Sequence, residues 1–448
     1  MKVSLGKKLS IGLITILIPF MAGAQEKQPP LEISLDRAVE IALSESPTIQ
    51  IADQEIARVD YSKKSAWYGL LPTLDGTGQY SKYLTPATMS LAGMNLALPT
   101  DFNASLGLQL SLPLVVPALW KSIQLTELEM QMAVEKARAS KITLRNDVTK
   151  AYYNILLAQD SYKVLQDGYS LAEENYKQAK KRFEAGIAAE YDYISAEVQM
   201  TNLQPNILQV ENGIMQAKLY LKVLMGVDMS VPLSVVGHLT DFENEVSGLK
   251  GKRAIELSNN ADLKQLEIQQ LQLDKSYQLQ QTQLMPTLAG FGQYTYAGTG
   301  NNAATSPFTG QYSPASTSWF GQGLIVGLQL SVPIFHATNN VKLKQLKIQA
   351  NQLKIQRDYA ENQLNVQART ALDNMDKAVK QVDAAKKAAT LAQKAYDISA
   401  KRYETGVGII IELQNAALAV TQSQLSYQQA ISDYLTAKAD YEKITGQQ

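Results

Sequence analysis

Apolar and polar residues recur along this chain with two different periods, that of a helix and that of a strand. From Leu144 onward, apolar or small residues follow one another in alternating steps of four and three. This heptad spacing predicts helices that supercoil left-handedly around their neighbours. No proline interrupts residues 118–184 or 339–404, so each stretch predicts one helix of about 100 Å. A second helix is predicted after each of them, over about 189–225 and 409–445.

Four other segments alternate with the period of two that is typical of a strand. The predicted strands are about 73–83, 103–113, 287–296 and 322–334, and the predicted loops between them are 84–102 and 297–319. Every second residue from Leu106 to Leu112 is leucine, and the residues between them are glycine, glutamine and serine. Such strands are long enough to cross a bilayer when tilted, with the apolar face toward lipid. A sheet that covers a soluble core shows the same alternation.

Two passages occur twice, 220 residues apart. Lys181 to Gly186 returns with two changes as Lys401 to Gly406, and Leu108 to Pro113 returns with one change at Leu328 to Pro333. A repeat of this length indicates a duplicated domain. The two glycines fall between the predicted helices of each half, where glycine suits a helix C-terminus. Each half is therefore predicted to carry a long helical hairpin with its tip at the glycine.

The ends of the repeats divide the chain into five parts. The predicted parts are a signal peptide (1–24), an N-terminal segment (25–34), a first repeat (35–228), an equatorial linker (229–250) and a second repeat (251–448). In the signal, three lysines precede an apolar run from Leu9 to Phe20, and Ala22 to Ala24 fits a peptidase site. The run is too short to span a bilayer as a helix.

Charge and composition exclude several classes of function. Without the signal the chain has 39 basic and 42 acidic residues, a net charge of −3, which does not favour nucleic acid as a partner. There is no cysteine, and the two histidines, His238 and His336, are far apart in sequence. This composition argues against a structural zinc site. The sequence contains no catalytic constellation and no phosphate-binding loop, so we expect no enzyme activity and no cofactor.

Four strands per chain predict an oligomer. An open four-stranded sheet in lipid leaves two edges whose backbone groups are unpaired, which is costly. Two chains would give eight strands, and a barrel of that size is filled by its own side chains. Three chains give a twelve-stranded barrel with a channel. The predicted fold is thus a homotrimeric twelve-stranded β-barrel, continuous with a coiled-coil barrel of long helices, with two structural repeats in each chain.

The chain resembles the TolC-like outer-membrane efflux proteins over its whole mature length, once per half. The segments that carry the resemblance are the opening helix Leu35 to Leu43 with Pro47 after it, the helix-to-strand transitions Leu71 to Thr73 and Met285 to Thr287, and the strand-to-helix transitions Leu112–Pro113 and Val332–Pro333. The most specific motif is at the hairpin tip: arginine, an aromatic residue, two residues, glycine, five residues and aspartate. It consists of Arg182, Phe183, Gly186 and Asp192 in the first half, and of Arg402, Tyr403, Gly406 and Glu412 in the second.

The resemblance implies a conduit that carries out no chemistry. It implies a trimer with a barrel in the outer membrane of a Gram-negative bacterium and a helical tunnel in the periplasm, closed at its inner end at rest. The inner end would dock a periplasmic adaptor protein, which links it to an inner-membrane pump of the RND or ABC type. The implied function is the outer-membrane channel of a tripartite efflux or type I secretion system. The transported substrate cannot be predicted from the sequence.

The tip residues have two interpretations. In the functional one, the adaptor contacts are Arg182, Gly186, Arg402 and Gly406, and the candidate gate is Tyr191, Asp192, Tyr193 and Glu412. In the other, the glycines are helix caps and the charges are solvated. For the whole chain the alternative function is a trimeric structural stalk or adhesin in the outer membrane, although duplicated internal strand pairs argue against it. A diffusion porin would lack helices of this length.

Overall fold

The computed structural model describes residues 31–85, 88–91, 94–97, 101–247, 255–301, 304–305 and 312–446. The predicted signal peptide, 1–24, and the first residues of the predicted N-terminal segment lie outside the described residues. The helices are α1 (Leu35–Glu45), α2 (Pro47–Tyr68), α3 (Pro117–Glu184), α4 (Glu190–Thr201), α5 (Gln204–Met225), α6 (Glu243–Ser247), α7 (Ala261–Thr282), α8 (Ala337–Glu404) and α9 (Ile410–Thr445). The strands are β1 (Leu31–Ile33), β2 (Thr73–Lys82), β3 (Thr88–Leu91), β4 (Met94–Ala97), β5 (Phe102–Val115), β6 (Leu233–Val235), β7 (Thr287–Asn301), β8 (Ala304–Thr305), β9 (Tyr312–Ser313) and β10 (Ser316–Ser331).

The two longest helices, α3 and α8, are uninterrupted and contain 68 residues each. The helical run predicted over about 189–225 consists of two helices, because α4 ends at Thr201 and α5 begins at Gln204. Pro205 lies in the first turn of α5. Proline has no amide hydrogen and cannot continue a helix from the preceding turn, but it is tolerated in a first turn. The equivalent position in the second repeat is Leu425, and there α9 is continuous.

The four long strands form one antiparallel sheet in the order β10-β7-β5-β2. The second predicted loop, 297–319, was too long, and the first, 84–102, contains a further pair of strands. Between β2 and β5 the structure has the short β3–β4 hairpin, β7 continues to Asn301, and β10 begins at Ser316. The last strand ends at Ser331 rather than near 334 because Pro333 follows. Strand β5 instead runs through Pro113, where its register against β7 shifts. Proline is accepted in a strand at such irregularities.

Below the sheet the helices form two successive layers. Next to the sheet the order is α2–α3–α7–α8. Farther away α3 packs against α4 and α5 on one side and α9 on the other, and α9 packs against α8. The long helices α3 and α8 pass through both layers. In the sheet and in both layers, a first-repeat element lies at one edge and a second-repeat element at the other.

The main hydrophobic core lies where the connection between the repeats crosses the helices. We call residues 233–247, with β6, a 3-10 turn and α6, the equatorial segment. Its strand β6 pairs in parallel with β1. The Tyr434 hydroxyl donates to the Glu245 carbonyl over 3.0 Å, and the buried Asp160 carboxylate accepts the Leu239 amide over 2.9 Å. These contacts hold the equatorial segment against one side of the helix layer that contains α3 and α9.

Candidate functional site: the sheet faces and the hairpin tips

One face of the sheet is aliphatic and uncovered. The side chains of Leu106, Val326 and Leu328 are 61%, 73% and 69% exposed. Cross-strand glycines lie beside these side chains, as where Leu106 pairs with Gly78. Within the described part of the chain, the sheet packs extensively only through its own strands. The interpretation of these strands as a sheet over a soluble core is therefore wrong, and the alternation marks a surface for an apolar environment.

The opposite face of the sheet is polar. Asp75 pairs with Gln109, which pairs with Gln293 on the next strand. Apolar side chains interrupt this face in places, and one of them, Phe291, lies over Gly327, where an added Cβ would come within 2.8 Å of the ring. The polar strip explains how one sheet can meet lipid on one face and water on the other.

Both edges of the sheet are open in the single chain. Among the described strands, β2 pairs only with β5, and β10 pairs only with β7. Each edge strand therefore has one side without a strand partner among the described residues of this chain. Such edges require another strand when the sheet is in lipid. Among the described helices, none has the length and apolar character needed to cross a membrane.

Both hairpin tips close with the same turn. The Gly186 amide donates to the Phe183 carbonyl and the Ile187 amide to the Arg182 carbonyl, at 2.8 and 2.9 Å. This pair of bonds is a Schellman cap, which needs a residue with positive φ. Gly186 has φ +73° and Gly406 has φ +80°. A Cβ on either glycine would meet nothing within 4 Å, so the caps are in place and the space around both glycines is open.

Arg182 connects the tips of the two hairpins. Its Nη2 donates to the Glu404 carbonyl over 2.8 Å, and its guanidinium lies 4.5 Å from the centre of the Tyr403 ring. Tyr403 is only 3% exposed, and burial raises the pKa of its hydroxyl. The sequence places Tyr403 in the tip motif and at the end of the heptad run of the second half, and it predicts no contact with Arg182. The repeat could have indicated a structural role for this residue, because an aromatic side chain occupies the same heptad position in both halves.

The second-repeat tip has its own ion pair. Arg402 Nη1 lies 3.4 Å from Glu412 Oε2. Beside it, the hydrogen bond from Lys401 lowers the pKa of the exposed Glu404 carboxyl. The structure thus brings together two of the predicted residues, one from the adaptor set and one from the gate set.

The remaining predicted gate residues make local contacts. The Asp192 carboxylate accepts the Ala189 amide over 3.3 Å and caps the start of α4. The Tyr193 ring packs on Phe183 with centroids 4.9 Å apart, whereas Tyr191 is 65% exposed. Within one chain, therefore, the Asp192 carboxylate caps its own helix, and the Tyr191 ring is exposed to solvent at the tip.

These features define a class of protein: an elongated chain with a sheet for the membrane and a long helical body. The sequence profile of the outer membrane efflux protein family matches residues 38–227 and again residues 254–447. The chain belongs to this family, and it is an outer-membrane protein. A comparison with curated protein sequences gives no match.

Solved structures with the same fold are outer-membrane channels. The CmeC channel of Campylobacter jejuni is 16% identical with a TM-score of 0.72, covering 92% of this chain and 85% of that one. VceC of Vibrio cholerae is 13% identical with a TM-score of 0.69, covering 92% and 96%. The open state of MtrE from Neisseria gonorrhoeae is 18% identical with a TM-score of 0.70, covering 92% and 88%. At these identities the likeness concerns the fold, and a non-enzymatic role is consistent with it.

Proposed function

We propose that three copies of this chain close into a conduit that serves as the outer-membrane channel of a tripartite efflux or type I secretion system. The observation that carries the proposal is the sheet, whose aliphatic face is bare and whose two edges are open. A β10 edge of one copy would pair with the β2 edge of the next. Twelve strands then enclose a channel, whereas eight would be filled by side chains.

The helix layers support the same closure. At the edge of the layer, α8 presents a heptad strip made of Val341, Ile348 and Ile355, which are 65%, 59% and 70% exposed. The strip lies opposite Leu346 and Leu353, the side by which α8 packs on its own chain. An apolar strip at heptad spacing fits a neighbouring helix, and here that helix would belong to the next copy.

The hairpin tips supply the contact with a periplasmic adaptor, which connects the channel to an inner-membrane pump of the RND or ABC type. Open space around Gly186 and Gly406 lets another backbone approach closely, and Arg182 and Arg402 lie beside them. In cells that carry the whole system, Arg182→Ala with Arg402→Ala should abolish export while trimers persist. Lys181→Ala is the matched control at the same tip. Unchanged export by the double variant would contradict this assignment.

The same tips carry the gate in this proposal. The pair of Arg402 and Glu412 and the cap made by Asp192 hold the turns in their resting shape, and the rings of Tyr191 and Tyr193 narrow the inner end. An exposed ion pair stabilises by under about 1 kcal/mol, so three copies together give a gate that an adaptor can open.

Closure itself is tested by the mass of the assembly. Native mass spectrometry of the mature protein, released from detergent, should show three copies of the chain. A chain that stays monomeric, or that forms dimers only, would contradict the conduit because its strands cannot then enclose a channel.

A further inference from the structure

In the half of α8 next to the sheet, charged side chains and glutamines lie on different sides of the helix. Between the strip that packs on its own chain and the apolar strip opposite lie two further strips. One contains Lys344, Lys347, Asn351, Lys354, Asp358 and Glu361. The other contains Gln345, Gln349, Gln352, Gln356 and Gln363, and all five are exposed. The only charged residue at this level in the glutamine strip is Lys342, at its head.

The equatorial segment shows which strip lies on which side of the layer. Lys386 falls on the same heptad position as Lys344, and its Nζ lies 2.5 Å from Glu243 Oε1 of that segment. The charged strip therefore faces the equatorial side. The glutamine strip runs down to Lys377, which lines a groove on the other side of the layer with Asp433 and Lys150.

Helix α7 adds more glutamines to that other side. Gln265, Gln269 and Gln272 line a groove together with Lys136 of α3. Lys136 lies two heptads above Lys150 on α3, so both grooves open on the same side. The eight glutamines of α7 and α8 thus share the face of the layer that is turned away from the equatorial segment.

The charged groups on this face at the same level have both signs. Asp262 lines the same groove as Lys136. Glu55 Oε1 lies 2.7 Å from Arg58, and Asp53 lines a groove with them. Glu55 raises the pKa of Arg58, and Glu129 adds a smaller contribution in the same direction. No single sign dominates, and Lys342 adds one positive charge at the top.

We propose that this face lines the tunnel and forms a near-neutral, amide-lined stretch that admits polar solutes of either charge sign. The inference rests on the proposed conduit, because the tunnel must lie on the side that the equatorial segment does not fill. A ring of carboxylates would concentrate cations in such a passage. A glutamine amide offers one acceptor and two donors without net charge. The stretch can therefore form hydrogen bonds with a solute without selecting for the sign of its charge.

The chain has no cysteine, so one introduced thiol can report on each face. Gln356→Cys lies in the glutamine strip, and Asn351→Cys is its matched control on the charged strip. Each trimer is treated with a cationic and an anionic methanethiosulfonate of similar size, and the modification rates are followed by mass spectrometry. Single-channel current is recorded before and after modification.

At Gln356→Cys, the ratio of cationic to anionic rates should match that of a free thiol within about twofold. Adding Gln352→Glu should raise the ratio at least about fivefold, because in each copy the new carboxylate lies one helical turn from the thiol, within a Debye length. Modification at 356 should reduce the current, and modification at 351 should leave it unchanged.

A ratio already shifted about tenfold without the glutamate would overturn the neutral lining. A current that responds at 351 and not at 356 would overturn the assignment of the faces. In either case the channel itself stands. Trimers that carry no current before modification would overturn the conduit as well, which distinguishes the two failures.

Discussion

Gly168 lies inside α3, where glycine destabilises a helix by about 1 kcal/mol relative to alanine. The structure shows why the position is glycine. An added Cβ would lie 2.6 Å from Oγ1 and 3.3 Å from Cγ2 of the buried Thr421 on α9. Helix α3 of the first repeat and helix α9 of the second therefore approach each other closely at this point.

Gly168→Ala should therefore destabilise the protein by about 1–3 kcal/mol, because overpacking outweighs the gain in helix propensity. Gly213→Ala in α5 is the matched control, since a Cβ there meets nothing within 4 Å. The control should be neutral or stabilise by up to about 1 kcal/mol. Denaturant unfolding of both variants measures the difference. Equal stabilisation by the two substitutions would contradict the close approach.

Glu243 gives the docking of the equatorial segment a pH dependence. The hydrogen bond from Lys386, and after it that from Tyr427, lowers the pKa of the Glu243 carboxyl. A carboxyl whose folded pKa is depressed stabilises the fold above its unfolded pKa and loses that contribution as pH falls through the folded pKa. The stability difference between wild type and Glu243→Gln should be present at pH 7 and should shrink progressively as the pH falls below about 4. A difference that is the same at both pH values in thermal unfolding would rule this out.

At the scale of elements, the apolar strip on α8 is exposed to solvent in the described part of the chain. Ile348→Asp with Ile355→Asp would place two carboxylates of each copy in an apolar contact, where charge is costly to bury. Size-exclusion chromatography with light scattering should show loss of the trimer, and circular dichroism should show that the helices persist. Asn351→Asp, on the charged strip, should remain trimeric. Persistence of the trimer in the double variant would remove the strip from the interface.

Element types were predictable where one rule dominated. The heptads of α3 and α8 contain no proline, so helix continuity followed from the sequence. The break before α5 is not predicted by the apolar pattern, which continues through Pro205. Only the missing amide hydrogen of Pro205 indicates it. The strand ends beyond Tyr296 and before Gln322 were missed because glycine- and serine-rich segments are typical of loops. In the sheet these residues are held by cross-strand pairing, which propensity does not include.

The tip residues show the corresponding limit for the site. The motif placed Arg182 and Gly186 at a turn, and the Schellman caps follow from glycine alone. The stacking of Arg182 on Tyr403 joins residues more than 200 positions apart. It depends on how the two hairpins lie against each other, which no local pattern contains.

For the whole molecule, one feature recurs in the sheet and in both helix layers: an open edge from the first repeat and an open edge from the second. This agreement is what a sector of a closed ring requires. The duplicated sequence explains it, because two similar units packed side by side leave similar surfaces at their outer edges. Membership in the outer membrane efflux protein family is consistent with that ring.

The central claim is that the ring conducts, and single-channel recording in a planar bilayer tests it most directly. The purified mature protein is recorded beside the Asp192→Ala/Glu412→Ala variant, with trimers confirmed in the bilayer for both. We expect discrete current steps for both proteins, with larger steps for the variant because the tips no longer hold the resting shape. Trimers of both proteins that carry no current would contradict the central claim.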